Sequence, residues 1–178
     1  LSYMRLWDRQ AAERPDVLIA NSRYTAERIK KYYRKDAEVV YPPALALSVA
    51  GQDEIILRGE RKHFLIVSRL ARSKKIEPVI EAFNKLGFPL VIVGSGRDEE
   101  RLRRIAGPNI SFVGAPDDAR LRRYYREARA VLFPSEEDFG MVAVEALSLG
   151  TPVIAYEHGG IREILRIGET GEVFRSQT

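Results

Sequence analysis

The stretch "AVLFPSEEDFGMVAVEALSLGTPVIAY" (130–156) decides the fold. Two short apolar runs, 130–134 and 152–156, enclose a segment, 140–149, that reads as a helix beginning at Gly140. The runs are apolar on both faces and rich in Val and Ile, as strands of a parallel sheet covered by helices on both sides should be. Two carboxylates frame the turn between strand and helix. Glu137 precedes the helix, and Glu145, with seven residues between the two, sits inside its apolar body. A carboxylate among small apolar residues needs a partner, because burying it unpaired is costly.

The same rhythm extends outward on both sides. Strands are expected at 63–70, 89–94 and 109–114, and helices at 76–86, 97–106 and 117–128. Beyond Tyr156 come a short helix, 160–167, and an edge strand, 172–174. Strand–helix alternation with right-handed crossovers gives an α/β fold with a doubly wound parallel sheet. Ligands of such sheets bind beyond the carboxyl ends of the strands. Upstream, 4–14 reads as a helix presenting Leu6, Trp7 and Ala11 to a partner, and 16–20 as a buried strand. Asn21-Ser22 supplies cap chemistry for a helix reaching about Tyr33, and 37–41 is a strand stopped by Pro42-Pro43. Residues 44–62 have no clear period and read as a connecting loop.

Composition narrows the classes. The 178 residues are 45% hydrophobic and 30% charged, with a net charge of +4. There are no cysteines, which excludes disulfides and thiolate metal sites and fits a reducing compartment. Two distant histidines, His63 and His158, leave little for zinc. No apolar run is long enough to span a bilayer. Basic clusters lie at 28–35, 71–76 and 122–129, and the first and last of them interleave basic residues with tyrosine. Tyr32, Tyr33, Tyr124 and Tyr125 fall in amphipathic helical patterns, where aromatic rings pack inward, so nucleic acid is not the expected partner.

The loops after the strands hold the chemistry. Arg69 and Lys74 are permanent cations that suit a diphosphate, or else simply face solvent. Gly94-Ser95-Gly96 begins like a dinucleotide fingerprint, but Glu99 stands where the third glycine belongs, so these glycines read as a tight turn and not an NAD site. Backbone near Pro116 is placed to meet a flat base, with a plain turn capped by Asp117 or Asp118 as the alternative. At Phe139-Gly140-Met141 a helix N-terminus offers free N–H groups to anionic oxygen, and Gly140 admits close approach. Glu137 and Glu145 each suit a pair of adjacent hydroxyls, as on a sugar or a ribose. Gly159-Gly160 also allows a ligand close to a helix start, while His158, lacking a nucleophile to pair with, reads as structural.

These features, in order and correctly spaced, resemble the C-terminal, donor-binding domain of retaining GT-B glycosyltransferases of the large family 4 group. The resemblance covers 63–175 and rests on "SRL" with Lys74, "VGSG" (93–96), "PNISFVG" (108–114), the Glu137-x7-Glu145 spacing, "GTPVIAY" (150–156) and "GGIREI" (159–164). Residues 7–33 are similar to the segment closing the N-terminal domain in bacterial and archaeal mannosyltransferases of polysaccharide synthesis. The resemblance implies a Rossmann-like nucleotide-sugar domain over 63–178, a linker at 44–62 and a remnant of the N-terminal domain at 1–43. It implies transfer with retention from a nucleoside-diphosphate sugar, GDP-mannose preferred, to a glycan or lipid-linked acceptor. It requires no metal and no cofactor, and it places the protein in the cytoplasm or at the inner membrane face.

By the same resemblance, Arg69 and Lys74 hold the diphosphate, and backbone at Phe139, Gly140 and Met141 adds donors. Glu137 takes the sugar, Glu145 the ribose, and Pro116 backbone the base. Arg69, Lys74 and Glu137 carry the catalytic expectation. Lys75 departs from the family, which often has glycine there, and it leaves the loop conformation open. Nearly all of the other GT-B half is missing from the sequence, so the chain is expected to be an excised fragment or a naturally truncated product, without turnover alone. The alternatives are a truncated nucleotide-sugar-binding or partner-docking domain without catalysis, a sugar-nucleotide epimerase, or a phosphorylase with pyridoxal phosphate.

Overall fold

The computed structural model describes residues 2–43 and 60–177. The chain opens with α1 (Ser2–Ala11), β1 (Ile19–Ala20), α2 (Arg23–Tyr33) and β2 (Glu38–Val39), and the two short strands pair in parallel. A six-stranded sheet follows: β3 (His63–Val67), β4 (Leu90–Val93), β5 (Ile110–Gly114), β6 (Ala128–Phe133), β7 (Val153–Tyr156) and β8 (Gly171–Phe174). Every pairing in it is parallel, in the order β5-β4-β3-β6-β7-β8. The connecting helices are α3 (Ile76–Leu86), α4 (Glu99–Ile105), α5 (Asp118–Glu127) and α6 (Met141–Ser148).

Side chains alternate between the two faces of the sheet, and each face builds its own core. Ile66, Ile92 and Leu132 meet Ile76, Ile80 and Phe83 of α3 and Leu102 of α4 on one side. Leu65, Val93, Val131 and Val153 meet Tyr125 of α5 and Ala143 and Ala146 of α6 on the other. The chain thus changes faces between β5 and β6, and the strand order reverses between β3 and β6. That reversal opens a crevice at the carboxyl ends of β3 and β6, the position where doubly wound sheets bind ligands. On the α3 face a groove of about 300 Å³ lies beside α3, lined by Val79, Phe83, Leu132 and Phe174.

Local chemistry sets the helix ends. Ser22 caps α2 by accepting from the Thr25 N–H at 2.9 Å, and Asp117 caps α5 by accepting from the Arg120 N–H at 2.8 Å. Gly87, at φ +71°, ends α3 in the left-handed conformation glycine adopts freely. The expected span of α3 is observed residue for residue, but several others shift. β6 starts at Ala128 rather than 130, because Lys62 N–H and the Arg61 guanidinium bond the carbonyls of Glu127 and Ala128 and extend the ladder. The expected helix 160–167 is a single 3₁₀ turn, Gly160–Glu163, after which Ile167 bridges Gly171. The strands expected at 16–20 and 37–41 shrink to two paired residues each. Tyr125 is buried as expected, whereas Tyr32 is 59% exposed because α2 buries no residue fully. Of the expected loop, 44–59 lies outside the described residues.

Candidate functional site

The crevice between β3 and β6 has two walls. The β3 wall is 68–75. Arg69 is exposed at its start, and a 3₁₀ turn, Arg72–Lys74, turns Lys74 back toward β6. Lys75 then takes φ +52°, a left-handed conformation that is rare for a residue with a side chain, and begins α3. The expectation left open at Lys75 resolves simply: lysine adopts the backbone geometry that glycine would favour there.

The β6 wall is 134–141, running from the strand end to α6. Gly140 precedes α6 at φ +117°. A Cβ on it would lie 3.2 Å from the Phe133 ring, so this glycine serves the turn and the packing beneath it. The first N–H groups of α6 have no carbonyl ahead of them within the helix, and the helix dipole adds to their attraction for anionic oxygen.

Lys74 and Glu137 meet across the crevice, with Nζ donating to Oε1 at 2.6 Å. The Ser135 hydroxyl donates to the same Oε1 at 3.0 Å. A cleft of about 460 Å³ opens at this pair, lined also by Asn21, Arg28, Glu136, Asp138, Phe139, Gly140, Met141 and Val142. Its charged lining is Arg28 and Lys74 against Glu136, Glu137 and Asp138. Both cations are already engaged, since Arg28 pairs with Asp138.

Glu145 lies one helical turn beyond Met141 and is not in the cleft lining. It has the partner its surroundings demand, for the buried Tyr125 hydroxyl donates to its Oε2 at 2.7 Å. Burial, and then the Glu145 charge and bond, push the Tyr125 phenol far up, so it stays protonated and keeps donating. Pro116 follows β5 at the same edge of the sheet, half-buried and outside the cleft lining. The structure therefore brings together Lys74, Glu137, Phe139, Gly140 and Met141. It leaves Arg69, Pro116 and Glu145 on the same edge but apart from that cluster.

Two glycine pairs do different work from a ligand approach. A Cβ at Gly94 would fall 1.9 Å from the Ser68 carbonyl oxygen, and one at Gly96 2.1 Å from that of Leu70. They let the β4 loop lie against the backbone that carries Arg69. Gly159 and Gly160 likewise pack on the carbonyls of Glu137 and Asp138, each 2.3 Å from a would-be Cβ, and Gly160 N–H donates to Glu137 O at 2.9 Å. The close approach expected of a ligand at Gly159-Gly160 is made instead by the Glu137 loop. His158 is exposed and stacks on Tyr156 at 4.7 Å, away from the cleft lining.

Several residues at the site were not legible as such. Asn21-Ser22 reads only as a helix cap, yet Ser22 is fully buried and also donates to the Asp138 carbonyl. Tyr24 bonds Glu136, and Glu163 accepts from the N–H groups of Arg23 and Tyr24, both at 2.9 Å, and from the Tyr41 hydroxyl at 2.8 Å. Burial alone would raise the Glu163 pKa, but these N–H donors and the hydroxyl outweigh it and hold the carboxyl below its ordinary value. Among the described residues no group of three or more His, Asp or Glu comes together as a metal site, and no helix is long and apolar enough to cross a membrane.

Comparison with known proteins gives this geometry a family. Residues 52–178 match the family model described as glycosyl transferases group 1. A phosphatidyl-myo-inositol mannosyltransferase of Mycobacterium leprae is 42% identical over 100 residues, covering 53% of this chain and 26% of the relative. A D-inositol 3-phosphate glycosyltransferase of Mycobacteroides abscessus is 30% identical, covering 92% of this chain and 42% of its own length. Among solved structures, sucrose-phosphate synthase from Thermosynechococcus elongatus superposes with a TM-score of 0.79 at 25% identity, over 97% of this chain and 48% of that one. The chain thus spans less than half the length of each of these relatives.

Proposed function

This chain belongs to the glycosyl transferases group 1 family, and on that premise we propose that it binds a nucleoside-diphosphate sugar across the β3–β6 crevice and supplies the donor half of a retaining glycosyl transfer. The observation that carries this reading is the convergence of Lys74, Glu137 and the α6 N-terminus at the switch point of the sheet. Lys74 and Arg69 neutralise the diphosphate and stabilise its departure, helped by N–H groups at Gly140 and Met141. Fixed donors of this kind need no reorganisation during reaction. Glu137 accepts from hydroxyls of the transferred sugar. Glu145, with Tyr125 on one oxygen, offers its other oxygen to the ribose, and backbone near Pro116 meets the base.

GDP-mannose is the preferred donor. The relative named as a phosphatidyl-myo-inositol mannosyltransferase supports mannose as the transferred sugar. The acceptor is a glycan or lipid-linked glycan held by the longer protein. Every role assigned here serves the donor, so the 178 residues bind it without sustained turnover. Positioning of an acceptor accounts for roughly 7–11 kcal/mol of such a barrier.

Thermal melting with GDP, GDP-mannose, UDP and NAD tests the reading. A nucleoside diphosphate at a hundredfold excess over its Kd adds about 2.7 kcal/mol, a clear rise in Tm. Stabilisation by NAD and by no nucleoside diphosphate would overturn it.

A further inference from the structure

The cleft proposed to take a diphosphate carries three carboxylates against two cations, and both cations are already paired. An incoming phosphate therefore meets Lys74 in the grip of Glu137. That carboxylate is anchored beside the lysine. Its Oε1 also accepts from Ser135, and its own backbone is fixed by the Gly160 N–H at 2.9 Å and by a bridge to Gly159. A Cβ at either glycine would collide, so the two backbones lie in contact and the loop has no slack at this point.

We propose that Glu137 is a specificity-determining residue that competes with phosphate for Lys74 and so makes the site prefer the intact donor over the spent nucleotide. The inference rests on the reading of this cleft as a nucleoside-diphosphate-sugar site and concerns how it chooses between two ligands that share the same diphosphate. Both must draw Lys74 toward phosphate. A donor compensates, because its sugar places hydroxyls where Glu137 can accept from them, and its terminal phosphate is esterified and carries less charge. A bare nucleoside diphosphate brings a more highly charged terminal phosphate up to a fixed carboxylate and offers it no hydroxyl. The ion pair thus weakens the product complex more than the substrate complex, and it assists release after transfer.

The measurement is calorimetric binding of GDP, GDP-mannose, UDP and UDP-glucose to the whole chain and to three variants. Glu137→Gln keeps the shape and the Ser135 contact while removing the charge. It is expected to bind the bare diphosphate about fivefold more tightly, the scale of a partly exposed ion pair, and to lose most of the preference for the sugar conjugate. Lys74→Met is expected to weaken both ligands. In the Lys74→Met/Glu137→Gln double variant the gain should vanish, because the competition has lost its object. Circular dichroism of each variant reports folding, and Glu137→Ser serves as a smaller neutral replacement if the glutamine variant does not fold. Unchanged or weaker binding of bare diphosphate by the neutral variant overturns the proposal. So does a gain that survives in the Lys74→Met background, which would be general repulsion. A wild-type chain that binds none of the four ligands removes the donor-site reading itself, whereas wild-type binding without the gain removes only this inference.

Discussion

Two regions of the molecule are held by opposite means. The sheet unit, 63–174, closes around two apolar cores in which Leu65, Ile80, Leu90, Ile92 and Val131 have no exposed surface. The N-terminal segment, 2–43, meets it mainly through polar contacts. Ser22 and Arg28 hold Asp138, Tyr24 holds Glu136, and Glu163 caps α2, while the Tyr41 and Phe139 rings meet at 5.9 Å. Its large apolar side chains face outward: Tyr3, Trp7 and Ile19 are 76%, 54% and 65% exposed. The apolar unit sets where the cleft walls stand. The polar segment attaches to the loop between Glu136 and Phe139 and adds Asn21 and Arg28 to the cleft lining.

The largest test of this contrast is a pair of truncations. Leu65→Ala leaves a cavity in the sheet core and should cost about 2–5 kcal/mol in chemical denaturation, whereas Trp7→Ala should stay within about 0.5 kcal/mol. Similar losses from both would mean that the N-terminal segment shares the core. Ser22→Ala comes next. It removes both the α2 cap and the tie to Asp138, for an expected loss of about 1–2 kcal/mol. If nucleotide binding falls along with stability, the segment shapes the cleft more than the contrast allows.

Acid provides a third and smaller probe. Because the folded Glu163 carboxyl titrates below its ordinary 4.5, its stabilisation is fully present above that value and is lost as pH falls through the lowered folded one. The wild-type melting temperature should therefore fall below pH 4.5 more steeply than that of Glu163→Gln. Matching pH profiles would show that the carboxylate cap on α2 adds nothing. The smallest effect is expected at Lys75. Its left-handed backbone costs about 1–2 kcal/mol, partly offset in Lys75→Gly by the greater chain entropy of glycine, for a net gain of about 0.5 kcal/mol.

The same contrast explains what could be read from the sequence. Strands rich in Val and Ile and the period of 76–86 announce themselves locally, because burial on two faces dictates residue type at short range. The spacing of Glu137 and Glu145 likewise marks one turn and one helix. The Lys74–Glu137 pair was not legible, since it joins residues 63 positions apart whose meeting depends on strand order. The contacts of Ser22 and Arg28 with Asp138 span more than a hundred residues and have no local period at all. Gly159-Gly160, after β7, read as ligand glycines for a related reason. Sequence reports that a close approach is needed, and only the fold reveals that the approaching group is backbone.

That backbone seam has a consequence for how the site tolerates change. Its walls are positioned by carbonyls lying on Gly94, Gly96, Gly159 and Gly160, contacts that involve no side chain from either partner. Exposed side chains on the walls, such as Arg69 and Glu136, take no part in those contacts. The four glycines form the fixed chassis, against which the side chains of the walls can change one at a time.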